Sequence, residues 1–96
     1  MLALTLDPRA SSLHHALYDA LRGAILDGRL ASSDRLPSSR ALASELALAR
    51  AAVVAVYEQL ASEGYVVRRH GAGTRVAADL PDRWFRVAPA ERLASP

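Results

Sequence analysis

Apolar side chains return at helical spacing in the first part of the chain. Ser11 or Ser12 can cap a helix, and Gly28 after Asp27 is suited to end it. The apolar positions between them lie three or four residues apart, at Leu13, Ala16, Leu17, Ala20, Leu21, Ala24 and Ile25. Because such positions share one face of a helix, we expect a first, structural helix that supports the elements after it.

A second and a third helix are predicted in close succession. Ser38, behind a proline, suits the cap of a second helix whose inward anchors are Leu42 and Leu46. After a short turn, a third helix is predicted from Ala49 to Glu63. Its expected inward residues are Val53, Val56, Tyr57 and Leu60, and its expected outward residues are Ala51, Val54, Ala55 and Glu58.

The period of the pattern changes to that of strands after the third helix. Residues 65–69 and 74–76 are β-prone, and the segment 70–73 between them is a turn with two glycines. Alternating leucines in residues 2–6 indicate an extended arm or edge strand, and residues 35–36 allow only a minimal strand. This order of elements predicts an α+β, mainly helical fold, the winged helix-turn-helix, which can place one helix in the DNA major groove beside a hairpin.

The composition limits the size and class of the protein. The 96 residues allow one small domain, and because 51% of them are apolar but only 5% aromatic, the core must consist mainly of Ala, Leu and Val. The absence of Cys excludes disulfides and thiolate metal sites. No apolar run has the length of a membrane span and no signal peptide is evident, so we expect a cytoplasmic protein.

The basic residues are all arginine. The chain has twelve of them and no Lys, which suits nucleic-acid binding but is also explained by the codon usage of a GC-rich genome. The segment from residue 35 to residue 76 contains three glutamates and six arginines, which are Arg35, Arg40, Arg50, Arg68, Arg69 and Arg75. This local excess of positive charge favours an anionic partner.

The sequence gives little support for metal binding or catalysis. His15 and Asp19 are four residues apart and could share a metal ion, but no third ligand converges on them, and an exposed helical pair is the better explanation. No catalytic Ser, His and acid combination and no phosphate-binding glycine loop is present. We therefore expect neither an enzyme nor a metal site.

Three segments resemble the DNA-binding domain of the GntR family of bacterial transcription regulators. They are LPSSRALASEL, VVAVYEQLASEGY and RRHGAGTRV, which follow one another in the family's order. The YEQL run and the leucine arm before the first helix make the chain most similar to the MocR subfamily. The resemblance covers about residues 4 to 77 and implies binding to double-stranded promoter DNA, with a homodimer on paired half-sites.

The resemblance also implies which residues contact DNA. Ser38 and Arg40 would lie near the backbone, Arg50 would begin the recognition helix, and the wing tip would border the minor groove. The complete expected set is Ser38, Arg40, Ala49, Arg50, Ala51, Ala52, Arg69, His70, Gly71, Gly73 and Arg75. We expect Arg50 to carry most of the direct reading of bases.

The turn before the recognition helix departs from the family. Where a Gly-Val-Ser-Arg-Asn-Thr type of sequence is typical, this chain has Ala47-Leu48-Ala49-Arg50-Ala51-Ala52. The missing hydroxyl and amide groups would each weaken binding by about 1 kcal/mol. Backbone N–H groups at the helix start can still receive a phosphate, and alanines can pack against a thymine methyl. The wing is therefore expected to carry a larger share of the DNA contact.

The MocR resemblance implies a second domain similar to fold-type I aminotransferases. That domain binds pyridoxal 5'-phosphate through a Lys, and since this chain has no Lys, we expect no cofactor on it. The expected organisation is an arm over residues 1–10, the winged helix-turn-helix over 11–78, and a linker or tail over 79–96 with the aromatic pair Trp84-Phe85. A winged helix used for protein interaction or assembly remains the alternative function, because the fold serves both uses.

Overall fold

Three helices precede a two-stranded hairpin, as predicted. The computed structural model describes residues 4–69, 73–78 and 80. The elements are α1 (Leu13–Leu26), α2 (Ser39–Leu46), α3 (Arg50–Ser62), β1 (Val66–Arg69) and β2 (Gly73–Val76). The predicted winged helix-turn-helix is confirmed, and we call the hairpin of β1 and β2 its wing. No helix in the described ranges is long and apolar enough to span a membrane.

The ends of α1 follow from the residues that flank it. The side chain of Ser12 accepts a hydrogen bond of 3.0 Å from the backbone N–H of His15, so Ser12 rather than Ser11 is the cap. Gly28, directly after the C-cap Asp27, has a φ of 90°, which glycine adopts without the cost that a Cβ imposes. The prediction of this helix and of its two ends is confirmed.

The turn between α2 and α3 is built without the residues that usually form one. Ser38 caps α2 as predicted, since its Oγ accepts from the N–H of Ala41 at 3.0 Å. The helix ends at Ala47, which has left-handed backbone angles of φ 56° and ψ 45°. Ala49 then occupies the N-cap of α3 and offers no side-chain hydrogen bond.

One face of each helix contributes to a single apolar core. Inward residues of α3 predicted from the pattern are all buried, namely Val53, Val56, Tyr57 and Leu60. They pack with Leu17 and Leu21 of α1 and with Leu42 of α2. The buried hydroxyl of Tyr57 donates a hydrogen bond of 2.7 Å to the carbonyl of Pro37, and burial raises the pKa of this phenol. This bond attaches α3 to the start of α2.

The wing has a third, very short strand. β1 and β2 are antiparallel, and Arg35 forms an isolated bridge with Arg75 on the other edge of β2. The N–H of Leu36 donates to the carbonyl of Thr74 at 2.8 Å, and the N–H of Val76 donates to the carbonyl of Asp34 at 2.8 Å. The predicted minimal strand at Arg35-Leu36 is thereby confirmed. It ties the loop before α2 to the wing.

One detail differs from the predictions, and one predicted alternative is narrowed. Gly73 was expected in the turn, but it is the first residue of β2 and pairs with Arg69. Its partner explains the difference, because a residue that completes the ladder belongs to the strand. The described part of the arm, residues 4–10, forms no strand, so of the two predicted alternatives the arm remains, with Leu4 and Leu6 partly buried against the core.

Candidate nucleic-acid interface

The exposed face of α3 is lined by small side chains between one base and one acid. Arg50, Ala51, Val54, Ala55 and Glu58 line a shallow, open depression along this face. All except Val54, which is half-buried, are exposed. Their spacing follows from the inward positions of the same helix, which leave these residues on the opposite side. Because the side chains between Arg50 and Glu58 are small, another molecule can approach the backbone of α3 closely here.

Arg50 stands at the first position of α3 and is exposed. Its Nε donates a hydrogen bond of 3.3 Å to the Oγ of Ser39 in α2. The bond leaves the terminal guanidinium N–H groups available, and it orients them at the start of the helix. Ser39 was not among the expected site residues, because the sequence alone does not show that the first turns of α2 and α3 meet.

The remaining expected residues of the helix-turn-helix lie close to Arg50. Arg40 is exposed in the first turn of α2, and Ser38 is exposed at its cap. The Oγ of Ser38 accepts the bond that caps α2, but its own hydroxyl proton remains available to an acceptor. Ala49 is exposed at the N-cap of α3, while Ala52 in the first turn is half-buried.

The wing presents two different faces. Val66, Thr74 and Val76 are buried against the core, whereas Val67, Arg69 and Arg75 are exposed on the outer face. The Nη1 of Arg75 donates to the carbonyl of Ser33 at 3.2 Å. Gly73 begins β2 opposite Arg69. The expected site residues His70 and Gly71 lie outside the described residues.

An ion pair connects the wing to the exposed face of α3. The Nη1 of Arg68 in β1 lies 3.8 Å from the Oε1 of Glu58, and 41% and 65% of the two side chains are exposed. The pair places β1 beside the open face of α3. By strand alternation Arg68 shares the face of Val66, whereas the expected residues Arg69 and Arg75 project from the outer face of the wing. Neither Arg68 nor Glu58 was expected in the site, although their opposite charges were visible in the sequence.

A chain of polar contacts fixes α3 against α1 on the side away from the open face. His14 Nε2 lies 2.5 Å from the Oε1 of Gln59, whose Nε2 donates to Glu63 at 3.2 Å. The hydroxyl of Tyr18 also donates to Glu63. Partial burial, together with this bond to the Glu63 carboxylate, raises the pKa of Tyr18. These contacts join α1 to the second half of α3 in addition to the apolar core.

Two kinds of site, a pyridoxal phosphate Schiff base and a metal site, each require particular side chains. A pyridoxal phosphate Schiff base requires a Lys, and the sequence has none. Within residues 4–69, 73–78 and 80 no three His, Asp or Glu side chains converge as metal ligands do. His15, the residue considered for a metal pair, instead has its Nδ1 3.2 Å from the Oγ of Ser11.

The fold and this basic surface define a winged helix-turn-helix domain of the regulator type. The chain also matches, over residues 13–76, the family model of the bacterial regulatory proteins of the gntR family. The chain belongs to the GntR family. The resemblance that the three sequence segments indicated is thus confirmed.

Three of the proteins similar in sequence to this chain are described as regulators. The chain is 43% identical over 70 residues to the probable rhizopine catabolism regulatory protein MocR of Rhizobium meliloti, and 39% identical over 80 residues to the pyridoxine biosynthesis regulator PdxR of Corynebacterium glutamicum. The matches cover 73% and 82% of this chain but 14% and 18% of those proteins. The regulator TauR of Rhodobacter capsulatus is 42% identical over 71 residues, which are 74% of this chain and 15% of TauR. These relatives confirm the similarity to the MocR subfamily.

Solved structures agree with the fold. YtrA of Sulfolobus acidocaldarius, a GntR-family transcription factor, is 28% identical and superimposes with a TM-score of 0.72 over 96% of this chain and 83% of its own. The DNA-binding domain of AraR, solved in complex with its operator, is 20% identical and shares the fold at a TM-score of 0.64. That match covers 78% of this chain and 95% of the AraR chain.

Proposed function

We propose that this chain is the DNA-binding domain of a bacterial transcription regulator. The observation that carries the proposal is the open face of α3, where exposed Arg50 heads a row of small side chains. Such a helix enters the major groove with its first residues at the base edges. The wing then lies against the adjacent backbone or minor groove. The AraR domain, which shares the fold and is seen with its operator, is consistent with this use.

Arg50 reads the bases in this arrangement. A guanidinium group donates two parallel hydrogen bonds to O6 and N7 of guanine, and the bond from Nε to Ser39 leaves its terminal N–H groups free for such a pair. Because the side chain is already oriented, less conformational entropy is lost on binding. Ala51 and Ala55 allow close approach of the helix and can contact a thymine methyl.

Phosphates are held at both ends of the surface. Arg40 and the hydroxyl of Ser38 are exposed beside the start of α3, where the N-cap Ala49 leaves backbone N–H groups without a side-chain partner. Those N–H groups suit a phosphate oxygen. At the other end, Arg69, Gly73 and Arg75 of the wing contact the DNA backbone. His70 and Gly71 stay expected contacts that lie outside the described residues.

The named regulators to which this chain is similar are much longer than the chain. The chain spans about a sixth of the length of the MocR, PdxR and TauR relatives. We infer that it acts in the cytoplasm as part of a homodimer, since two copies can read paired half-sites one or more helical turns apart. If the effector domain is MocR-like, pyridoxal 5'-phosphate binds there and not to the residues described above.

The test is a binding titration of Arg50→Ala against a pool of short duplexes enriched by the unchanged chain. Loss of a bidentate base contact is expected to weaken binding by about 1–3 kcal/mol and to relax the sequence preference at one base pair. Arg29→Ala is the matched control, because Arg29 already pairs with Asp27 at 3.0 Å. Unchanged affinity and preference in Arg50→Ala would refute the assigned role of Arg50.

The same titration over a range of salt concentrations separates the two functions that the fold allows. A DNA-binding domain loses affinity as salt rises, with a log-log slope set by the number of phosphates it contacts. A flat salt response without sequence preference would instead support an interaction or assembly module.

A further inference from the structure

The loop before α2 places an arginine against the wing. Arg35 forms the isolated bridge to Arg75, so its backbone is the third strand at the base of the hairpin. Its guanidinium group lies over the backbone of Gly73: a Cβ on that glycine would be 3.0 Å from Nε and 3.2 Å from Nη2 of Arg35. Glycine at this position therefore permits the φ of 80° and also leaves room for Arg35.

Arg35 shares its side of the wing with two other arginines. Gly73 pairs directly with Arg69, and directly paired residues in an antiparallel sheet have Cβ atoms about 5 Å apart. The guanidinium over Gly73 thus lies on the face from which the side chain of Arg69 projects. Arg75, two residues beyond Gly73, projects from the same face. We call Arg35, Arg69 and Arg75 the arginine face.

No carboxylate neutralises the arginine face within the described part of the chain. The ion pairs there involve other arginines: Arg9, Arg29 and Arg68. Asp34 is the acid nearest in sequence, but its Oδ2 accepts a hydrogen bond of 2.9 Å from the N–H of Ala31. Three exposed arginine side chains on one face of the wing, without a counter-ion among the described residues, suit an external anion.

We propose that Arg35 is a DNA-backbone contact of this domain, and that it binds a phosphate together with Arg69 beside the wing. The inference rests on the proposed function, and it adds a residue that lies outside both the helix-turn-helix and the hairpin. Arg35 contributes affinity and position without reading sequence, because phosphate contacts are the same for every base pair.

The test compares Arg35→Gln with the unchanged chain on a pool of short duplexes of randomised sequence. Losing one phosphate contact is expected to reduce the log-log salt slope by about 0.9, and to raise the Kd about fivefold at roughly 0.15 M salt. The sequence preference is expected to remain unchanged. Arg35→Lys keeps the positive charge and is expected to restore most of the slope.

A charge-matched control separates a contact from a general effect of charge. Arg29→Gln removes one positive charge that already pairs with Asp27, so its salt slope should equal that of the unchanged chain. The inference would be overturned, and the proposed function left standing, by either of two results. One is that Arg35→Gln has the same salt slope as the unchanged chain; the other is that Arg29→Gln reduces the slope as much as Arg35→Gln does. Absence of salt-dependent binding by the unchanged chain would overturn both the inference and the proposed function.

A structural role of Arg35 predicts a different result. If Arg35 merely covered the backbone of Gly73, Arg35→Gln would lower the melting temperature of the free domain and leave the salt slope as it was. We expect the reverse: the thermal melt followed by circular dichroism stays within one or two degrees, since the change is on an exposed side chain.

Discussion

Alanine occupies two positions around the α2–α3 turn where its methyl group is a disadvantage. Ala47 has left-handed backbone angles, a conformation in which Cβ crowds the following carbonyl. Ala49 is the N-cap of α3 and cannot accept a hydrogen bond through its side chain. The family typically has Gly and Ser at these positions. The turn thus adopts a left-handed residue and an uncapped helix start without the residues that favour them.

Ala47→Gly is expected to stabilise the domain by about 0.5–1 kcal/mol. Removing Cβ relieves a left-handed strain of roughly 1–2 kcal/mol, and the greater freedom of glycine in the unfolded chain offsets part of that gain. The melting temperature should rise by about 2–8 °C in a thermal melt.

Ala55→Gly is the control for this substitution. Ala55 is exposed in the interior of α3, where the same change should destabilise by about 1 kcal/mol. A lower melting temperature for Ala47→Gly would show that its left-handed conformation carries no strain.

At the scale of elements, α3 determines how α2 begins. The hydroxyl of Tyr57 donates to the carbonyl of Pro37, and Arg50 donates to Ser39, so two bonds from α3 reach the first residues of α2. One of them comes from the core face of α3 and the other from its open face. The relative position of the two helices is therefore fixed at the end that is proposed to meet DNA.

Tyr57→Phe is expected to destabilise the domain by about 1 kcal/mol. The ring still fills the core, but the carbonyl of Pro37 loses its donor. Urea unfolding is the suitable measurement, with a lower midpoint at an unchanged m-value.

Tyr18→Phe serves as the comparison, since that hydroxyl donates to Glu63 at an exposed position and should contribute less. If both variants lost the same free energy of unfolding, the buried hydrogen bond of Tyr57 would contribute no more to stability than the exposed one of Tyr18.

At the scale of the whole molecule, the wing and α3 present opposite charges to each other and a net positive surface to solvent. Arg68 pairs with Glu58, the one acid on the open face of α3. This carboxylate points toward the surface proposed for DNA, where it repels phosphates and occupies an arginine. The Arg68–Glu58 pair is therefore expected to lower the affinity of the domain for DNA.

Glu58→Gln is expected to raise DNA affinity about two- to fivefold at low salt. The change removes the repulsion and releases Arg68, an effect in the range of about 0.5–1 kcal/mol that exposed ion pairs show. A Kd measured on one duplex at several salt concentrations checks it, and the difference should shrink as salt rises.

Asp19→Asn on the exposed face of α1 removes an acid away from the open face and should leave the Kd almost unchanged. An unchanged or weaker affinity for Glu58→Gln would contradict the arrangement of α3 and wing described above.

The local sequence pattern was sufficient to predict every helix and the two strands of the wing. The period of apolar residues located the inward face of α3 residue by residue, because burial on one side of a helix dictates a spacing of three and four. Serine and glycine located the ends of α1, since caps and left-handed stops depend on the adjacent residues alone. The expected DNA contacts at Arg40, Arg50 and Arg75 are all exposed, but their role stays a prediction.

Tertiary structure alone decided which distant residues meet. Ser39 contacts Arg50, Arg35 lies over Gly73, and Arg68 reaches Glu58 because helices and strands far apart in sequence pack side by side. A hydrophobic pattern carries no information on the crossing of two elements, which depends on how all side chains of the core fit together. The sequence thus determined that this chain is a winged helix-turn-helix of the GntR family, and the packing of the core decided which arginines share a surface.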